Sequence, residues 1–600
     1  MQNLDNNYNS PRFLLKYDAK SGIVEYDIDN IYPNPFKVDK NQYTLIILGT
    51  PILGNISNKA QVSSEILSTG RLDQKYVKLL DGEFLFILLN RKNNTIEIAN
   101  DRFTSFPMYY YILDNVLTLS YSYLDIIKVA SKEKKFKIRS DILFEFLWFR
   151  RVFNDNTYDS LTKFLKPARI ISFSIKGFNE CVYWRPCFTK SKNSLNHNTD
   201  ELARLILLSL EKKTLDLAGR NAGLFLSGGM DTRTILAAFS NNKNIELPTC
   251  FTVGYSKLGE YRVAKKLTQM IGAKHHFIHV PETYNDTRWG EKLHITGGMY
   301  NQFGPIFSGH SDKISSYSDV FFHGHGLDYM FQGMYLPGKH VKILGNNTYY
   351  KKITNLNKID NFSEYFSRNA PYRTWKVDVE SHVLPEYRSR MIGGLVERMD
   401  MIAEEGRAVC NDNFDLWEYF MIHTPFRHYS QPDIISMATN GEQRKVANDN
   451  DLFDFYLSLP IDQRKYARIM RGALSKMSPS FAKIISANTG YKIDATPTEL
   501  TAHFALYKAM RVITNDQSYS HPSAKDRTWA DDDIEVRIRP RLNTAVSKLS
   551  RSEYLREYLP FLDFNALDKN MIHWLDNKHP GGGLFITSLL TIENLLKKIV

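Results

Sequence analysis

The chain is 600 residues long, 43% hydrophobic and 24% charged, with a formal net charge of +12. That length exceeds one ordinary core and calls for more than one domain, and the composition is that of a soluble globular protein. There is no apolar run of about eighteen residues, which excludes an obvious transmembrane helix. Cys181, Cys187, Cys250 and Cys410 form no C-x-x-C pair, which argues against a zinc site or a disulfide framework and fits a reducing, cytoplasmic setting. The basic residues are spread along the chain, so the positive charge reads as a solvated surface and predicts neither a nucleic-acid nor a membrane partner.

The opening "MQNLDNNYNS" is polar and reads as no secretory signal. The next stretch is strand-rich: "YTLIILG", "FLFILLN", "TIEIAN", "PMYYYIL" and "ARIISFSI" are short β-branched or aromatic runs separated by Asn, Asp, Gly and Lys. The polar connector "TKSKNSLNHNTDE" marks a boundary, giving domains over 1–190, 200–490 and 491–600. From Leu202 the pattern alternates. "LARLILLSLEKKTLDLA" has helical spacing, "AGLFLS" is strand-like and "TRTILAAFS" helical. "PTCFTVGY", "EYRVAKKLTQMIG" and "KHHFIHV" then read strand, helix, strand. Such alternation predicts a doubly wound parallel sheet. After about Trp375 helical segments dominate, and "DQSYSHPSAKDRTWADDD" reads as a loop before a final helical tail.

Ser227, Gly228 and Gly229 fall between a predicted strand and a predicted helix. Glycines there let backbone N–H groups approach a ligand, and the positive end of the helix dipole points to the same place. Asp231 suits the dipole but repels a phosphate unless a cation stands between them, and Mg²⁺ resolves that conflict. Taken alone, the residues fit a structural turn with a capping Asp as well as they fit a phosphate site.

With its flanking strand and helix, "SGGMDT" resembles the pyrophosphate loop of the ATP pyrophosphatases, Thr232 standing for the usual second Ser. It is not a Walker-type loop, which needs a Lys after the last Gly. "CFTVGY" and "GAKHHFIHV" are similar to the segments that follow this loop in asparagine synthetases. "DVFFHGHGLDYMFQGMY" is similar to the family's second motif and keeps Gly324, Gly326, Asp328, Phe331 and Gly333. "MATNGEQRKVANDNDLFDFYLSLP" is similar to its helical Met-Ala…Asp…Leu-Pro signature, with Met437, Glu442, Arg444 and Asp449 kept. Upstream, "LLDGEFLFILLN", "IANDRFTSFPMYYY" and "YWRP" resemble the amidotransferase half. The chain is thus identified as a divergent member of the asparagine synthetase family. The resemblance implies an α/β protein: an Ntn-hydrolase-like αββα domain, then a doubly wound parallel-sheet PP-loop domain of adenine nucleotide α-hydrolase-like type with a helical C-terminal part.

The family's ATP site carries over to Leu226, Ser227, Gly228, Gly229, Asp231, Thr232, Val253, His323 and Gly324, with Mg²⁺ on Asp231 and Asp328. Three departures stand out. Gln2 occupies the place of the glutaminase cysteine, and the glutamine-binding Asn-Gly-Glu is unrecognisable near "ILGTPILG", so no intrinsic glutaminase is expected. His325 replaces an acidic residue, and Tyr329 replaces the Glu after the metal-binding Asp. The catalytic lysine falls on Ala467, leaving Lys465 or Arg468 to take its role in neutralising phosphate charge. His325 reads as a general base, as a metal ligand with His323 and Asp328, or as a structural loop histidine. His275 and His276 read as structural.

The function implied is an ATP-dependent ligase that adenylates a small-molecule or peptide carboxylate and transfers it to ammonia or an amine. The β-lactam synthetases and lasso-peptide cyclases of the superfamily do the latter. A homodimer is a further expectation. The alternatives are a glutamine-hydrolysing asparagine synthase proper, which an upstream Met-Cys start would restore, and a catalytically silent nucleotide-binding protein. A tRNA-modifying relative fits less well, because such enzymes lack the amidotransferase-like front half.

Overall fold

The structure, a computed structural model, describes residues 11–599 apart from 55, 282–283, 285–287, 344–345, 372, 375–376, 424–430, 488–489, 514–543 and 577–581. The polar opening and the loop expected at "DQSYSHPSAKDRTWADDD" lie outside the described residues.

Two antiparallel sheets face each other in the first part. One has five strands in the order Val24–Asp29, Arg12–Asp18, Val116–Ser120, Tyr109–Leu113 and Lys163–Phe164. The other has six, in the order Gly177–Val182, Arg169–Ser174, Thr95–Asn100, Leu80–Asn90, Tyr43–Leu53 and Phe36–Lys40. Alternate residues of the facing strands, among them Leu15, Leu48, Ile87 and Leu119, make the core between the sheets. The other face of Tyr43–Leu53 and Leu80–Asn90 carries Leu45, Ile47, Phe84 and Phe86, and the helix Lys59–Thr69 covers it with Val62 and Ile66. Both long strands are therefore buried on two sides, which is why they read as unbroken apolar runs. Helices Tyr123–Ala130 and Ser140–Phe149 cover the outer face of the five-stranded sheet, completing an αββα stack.

The helix at the expected connector begins at Leu195, seven residues before the periodic stretch, and runs to Thr214. Ser194 caps it by accepting from His197 N, and Asn198 within it is held by Gln463 at 2.8 Å. A fully parallel five-stranded sheet follows, ordered His275–His279, Thr249–Gly254, Ala222–Phe225, Val320–His323 and Glu442–Lys445. Relabelled by chain order, these run 3-2-1-4-5, so the direction of winding reverses between Ala222–Phe225 and Val320–His323.

The helical reading of "MATNGEQRK" needs correction. The helix Gln431–Ala438 ends there, and Glu442–Lys445 is the outermost strand of the parallel sheet. Its charges are satisfied in place: the buried Arg444 guanidinium forks onto Asp216 and onto Glu442.

The remaining chain is helical and is not set apart from the rest. The last helix, Gly582–Ile599, packs against Tyr123–Ala130 and Ser140–Phe149 of the first part. Asn301 Nδ2 donates to Thr587 Oγ1 of that helix at 2.7 Å, and Gln302 N to Thr591 Oγ1 at 3.1 Å. Among the described residues no helix is long and apolar enough to cross a membrane.

Candidate active site

A doubly wound sheet opens a crevice at the carboxyl ends of its strands where the winding reverses. The turn at Leu226–Gly229 and the turn at Gly324–Gly326 leave the two strands that border this point. They touch. A Cβ on Gly324 would stand 2.6 Å from Asp231 Cβ and 2.9 Å from Thr232 N, so the close approach requires glycine.

The first turn is braced internally. Ser227 N donates to Thr232 Oγ1 at 3.1 Å, and Gly229 N donates to Ser227 Oγ at 3.1 Å. The helix Met230–Asn241 starts at Gly229, which supplies no side-chain cap. Arg233, which the sequence reading passed over, anchors the turn from behind. Its buried guanidinium donates to Gly228 O at 3.0 Å, Ile484 O at 2.7 Å and Ile485 O at 2.8 Å. The only sequence signal was an arginine inside an otherwise apolar helix face.

Here lies a cavity of about 310 Å³ that brings together Leu226, Ser227, Gly229, Asp231, Thr232, Val253, His323, Gly324, His325 and Asp328. Phe225, Phe251, Phe307 and Met437 give it an apolar wall. Gly228 does not line it; a Cβ there would lie 2.3 Å from Ala487 Cβ, on the opposite side of the turn. Lys465 is elsewhere, in an adjacent cavity and paired with Asp462. Arg468 lines neither cavity.

The electrostatics of the first cavity are one-sided. Asp231, Glu260, Asp328 and Asp433 line it, with no Lys or Arg among its described lining residues. Burial, and then the charge of Asp328, push the Asp231 carboxyl well above the usual range. Burial raises Asp328 too, although it accepts from Tyr335 OH at 3.1 Å. Gln332 Nε2 donates to Asp231 Oδ1 at 2.6 Å. Two buried carboxyls, both raised by burial and Asp231 further by the charge of Asp328, are a donor set suited to a hard divalent cation. Among the described residues no three of His, Cys, Asp and Glu converge to hold a metal, so His323, His325 and Asp328 do not form a ligand cluster.

The two histidines contact each other, Nδ1 to Nδ1, at 3.2 Å. Burial lowers both, His325 to about 4, with Lys445 nearby adding to the effect. Both rings are therefore neutral at pH 7, and the buried His323 Nε2 has no hydrogen-bond partner among the described residues. His275 and His276 are packed into the sheet margin. His275 Nε2 meets Thr252 Oγ1 at 2.9 Å, and the His276 ring lies 4.1 Å from that of Tyr317.

The adjacent cavity, of about 380 Å³, is lined by Met230 and Gln332, the immediate neighbour and the hydrogen-bond partner of Asp231 in the first. Its charges are the reverse: Lys351, Lys465, Arg471 and Lys492 line it, with no carboxylate among its described lining residues. Tyr466 and Ala467 in its wall both have left-handed backbone, φ 57° and 56°. That conformation costs L-residues about 1–2 kcal/mol each. Ala467 N donates to Gln332 O at 3.2 Å, which joins this strained turn to the residue that holds Asp231.

Residues 205–480 match the family model described as asparagine synthase. A curated relative, a probable asparagine synthetase [glutamine-hydrolyzing] of Acanthamoeba polyphaga mimivirus, is 23% identical over 211 residues. That match takes in 33% of this chain and 34% of the relative, so the chain spans about a third of the relative's length. Among solved structures, the allosteric regulatory enzyme of purine biosynthesis is matched at 8% identity and a TM-score of 0.19, over 45% of this chain and 74% of that one. Glutamine phosphoribosylpyrophosphate amidotransferase from B. subtilis, complexed with ADP and GMP, is matched at 8% identity and a TM-score of 0.18, over 45% and 59%.

Proposed function

Because residues 205–480 of this chain match the asparagine synthase family model, we propose that it is an ATP-dependent, amide-forming ligase that activates a carboxylate as its adenylate. The observation that carries this reading is the facing pair Asp231 and Asp328 in a cavity with carboxylates and no Lys or Arg among its described lining. These two residues would hold Mg²⁺, which when bound neutralises the charge between them and the phosphates of ATP. The amides at the start of Met230–Asn241 bind the phosphate tail, and Phe225, Phe251, Val253 and Phe307 receive the base. A substrate carboxylate attacks the α-phosphorus and pyrophosphate leaves; ammonia or an amine then attacks the acyl carbon of the adenylate, losing a proton as AMP departs. Positioning of the reacting groups provides most of the rate in such a transfer.

His325 acts in this reading as a neutral hydrogen-bonding group. A proton affinity near 4 makes it a weak general base at pH 7, and its Nδ1 is engaged by His323. We take the amine to come from solution or from a second substrate.

The test is ATP–pyrophosphate exchange with a panel of carboxylic acids, comparing wild type with Asp231→Asn. Exchange that disappears in the variant supports adenylation. Release of ADP in place of AMP would refute it, and nucleotide binding without exchange for any acid would leave a silent binding protein.

A further inference from the structure

Two neighbouring cavities of opposite charge imply two ligands of different kind. The four cations of the second cavity are not equivalent. Lys465 is neutralised by Asp462, Arg471 donates to the main-chain carbonyls of Ile493 and Ala495, and Lys492 is exposed. Lys351 is half-buried; its ammonium donates to Leu336 O, and burial alone lowers its proton affinity, with no carboxylate acting on it. Its main chain is fixed as well: Tyr466 OH meets both Lys351 N and Lys351 O at 3.1 Å. Apart from Gln332, Tyr466 and Tyr491, the rest of the wall is apolar, from Met230, Met334, Leu336, Ile353, Ile493 and Leu500.

A half-buried cation with no counter-charge among the described residues, set in a largely apolar wall, is complementary to one negative charge on an apolar body. A small dianionic amino acid would leave most of 380 Å³ unfilled and place its ammonium among four cations. A phosphate tail would bring several charges against methionine and leucine. We infer that the second cavity binds the acid substrate and selects a monocarboxylic acid with an apolar body, its carboxylate received by Lys351 and directed toward the partition at Gln332 and Met230. This rests on the ligase reading for what the acid is used for, but not for its binding.

The experiment is isothermal titration calorimetry on the full chain with octanoate, octylamine, L-aspartate and pyrophosphate. Octanoate should bind, and octylamine and aspartate should bind at least about tenfold more weakly. Lys351→Met should weaken octanoate by about tenfold, the scale of a lost charge-assisted hydrogen bond, and Lys351→Arg should retain it. Met334→Glu, at a side chain that is 50% exposed and outside the core, should weaken octanoate to a similar degree. Equal binding of aspartate and octanoate, or pyrophosphate binding that depends on Lys351, would overturn the assignment. Octanoate binding without pyrophosphate exchange for any acid would refute the ligase reading alone. Exchange driven by small acids, with no octanoate binding, would refute this inference alone.

Discussion

Gly324 and Asp231 are in contact across the winding reversal, with room between them for a hydrogen and not for a methyl: an added Cβ would sit 2.6 Å from that of Asp231. The neighbours that would have to yield include the backbone of Asp231 and Thr232, which the Ser227 turn holds. Gly324→Ala should therefore cost about 1–3 kcal/mol of stability and displace Asp231 enough to reduce nucleotide binding. Thermal unfolding and fluorescent ATP-analogue titration check both. An alanine variant with wild-type affinity would show that the contact does not position the carboxylate.

Asp231→Asn should separate stability from function. Removing the Asp231 carboxylate relieves its repulsion by the charge of Asp328, and the amide oxygen still accepts from Gln332. We expect the nucleotide-free protein to gain about 1 kcal/mol, as active-site substitutions of this type commonly do, while Mg²⁺-dependent nucleotide binding is lost. Melting with and without Mg²⁺–ATP reads both effects.

The histidine pair fixes a pH dependence. His325 has a folded-state affinity lowered from 6.5 to about 4, so below pH 6.5 the unfolded chain binds more protons than the folded one. Its contribution is complete above pH 6.5 and is lost as the pH falls toward 4. Buried Asp101 and Asp449, raised to about 6 and about 7, act with the opposite sign over part of the same window. The informative quantity is thus the difference between wild type and His325→Gln. The wild-type melting temperature should fall more steeply between pH 6.5 and 4.5, and parallel curves would contradict the assignment.

Arg464 is buried and donates to Glu418 Oε1 at 2.6 Å, just before the strained turn at Tyr466 and Ala467. Arg464→Met should cost about 3 kcal/mol by leaving Glu418 without its counter-charge. Adding Glu418→Met should recover part of that, with Tyr456 OH left without its carboxylate acceptor. Urea midpoints of the single and double variants test the coupling.

Much of this was legible in residue order. The helices on either side of "SGGMDT" fall where periodicity puts them, and the four-residue strand Ala222–Phe225 is marked by its short apolar run ahead of the glycine turn. Glu442–Lys445 was not legible: four residues, three of them charged, carry no strand pattern, and partners distant in sequence, Asp216, Arg220 and Glu83 with the neighbouring strand, make the position favourable. The site divides in the same way. Asp231, Asp328 and the two glycine turns announce themselves by local chemistry. Arg233, Gln332 and Lys351 do not, because each acts through partners that the fold brings together, such as Ile484 for Arg233 and Asp231 for Gln332. Lys465, the nearest lysine in sequence to the strained turn, is committed to Asp462.

The last helix has a consequence for the order of assembly. Gly582–Ile599 completes the helical layer over the five-stranded sheet, and its Leu595 packs on Gly298. During synthesis the first two hundred residues leave the ribosome long before that helix exists. Tyr123–Ala130 and Ser140–Phe149 then lack their packing partner until it arrives, so this part of the protein is made well before it is finished.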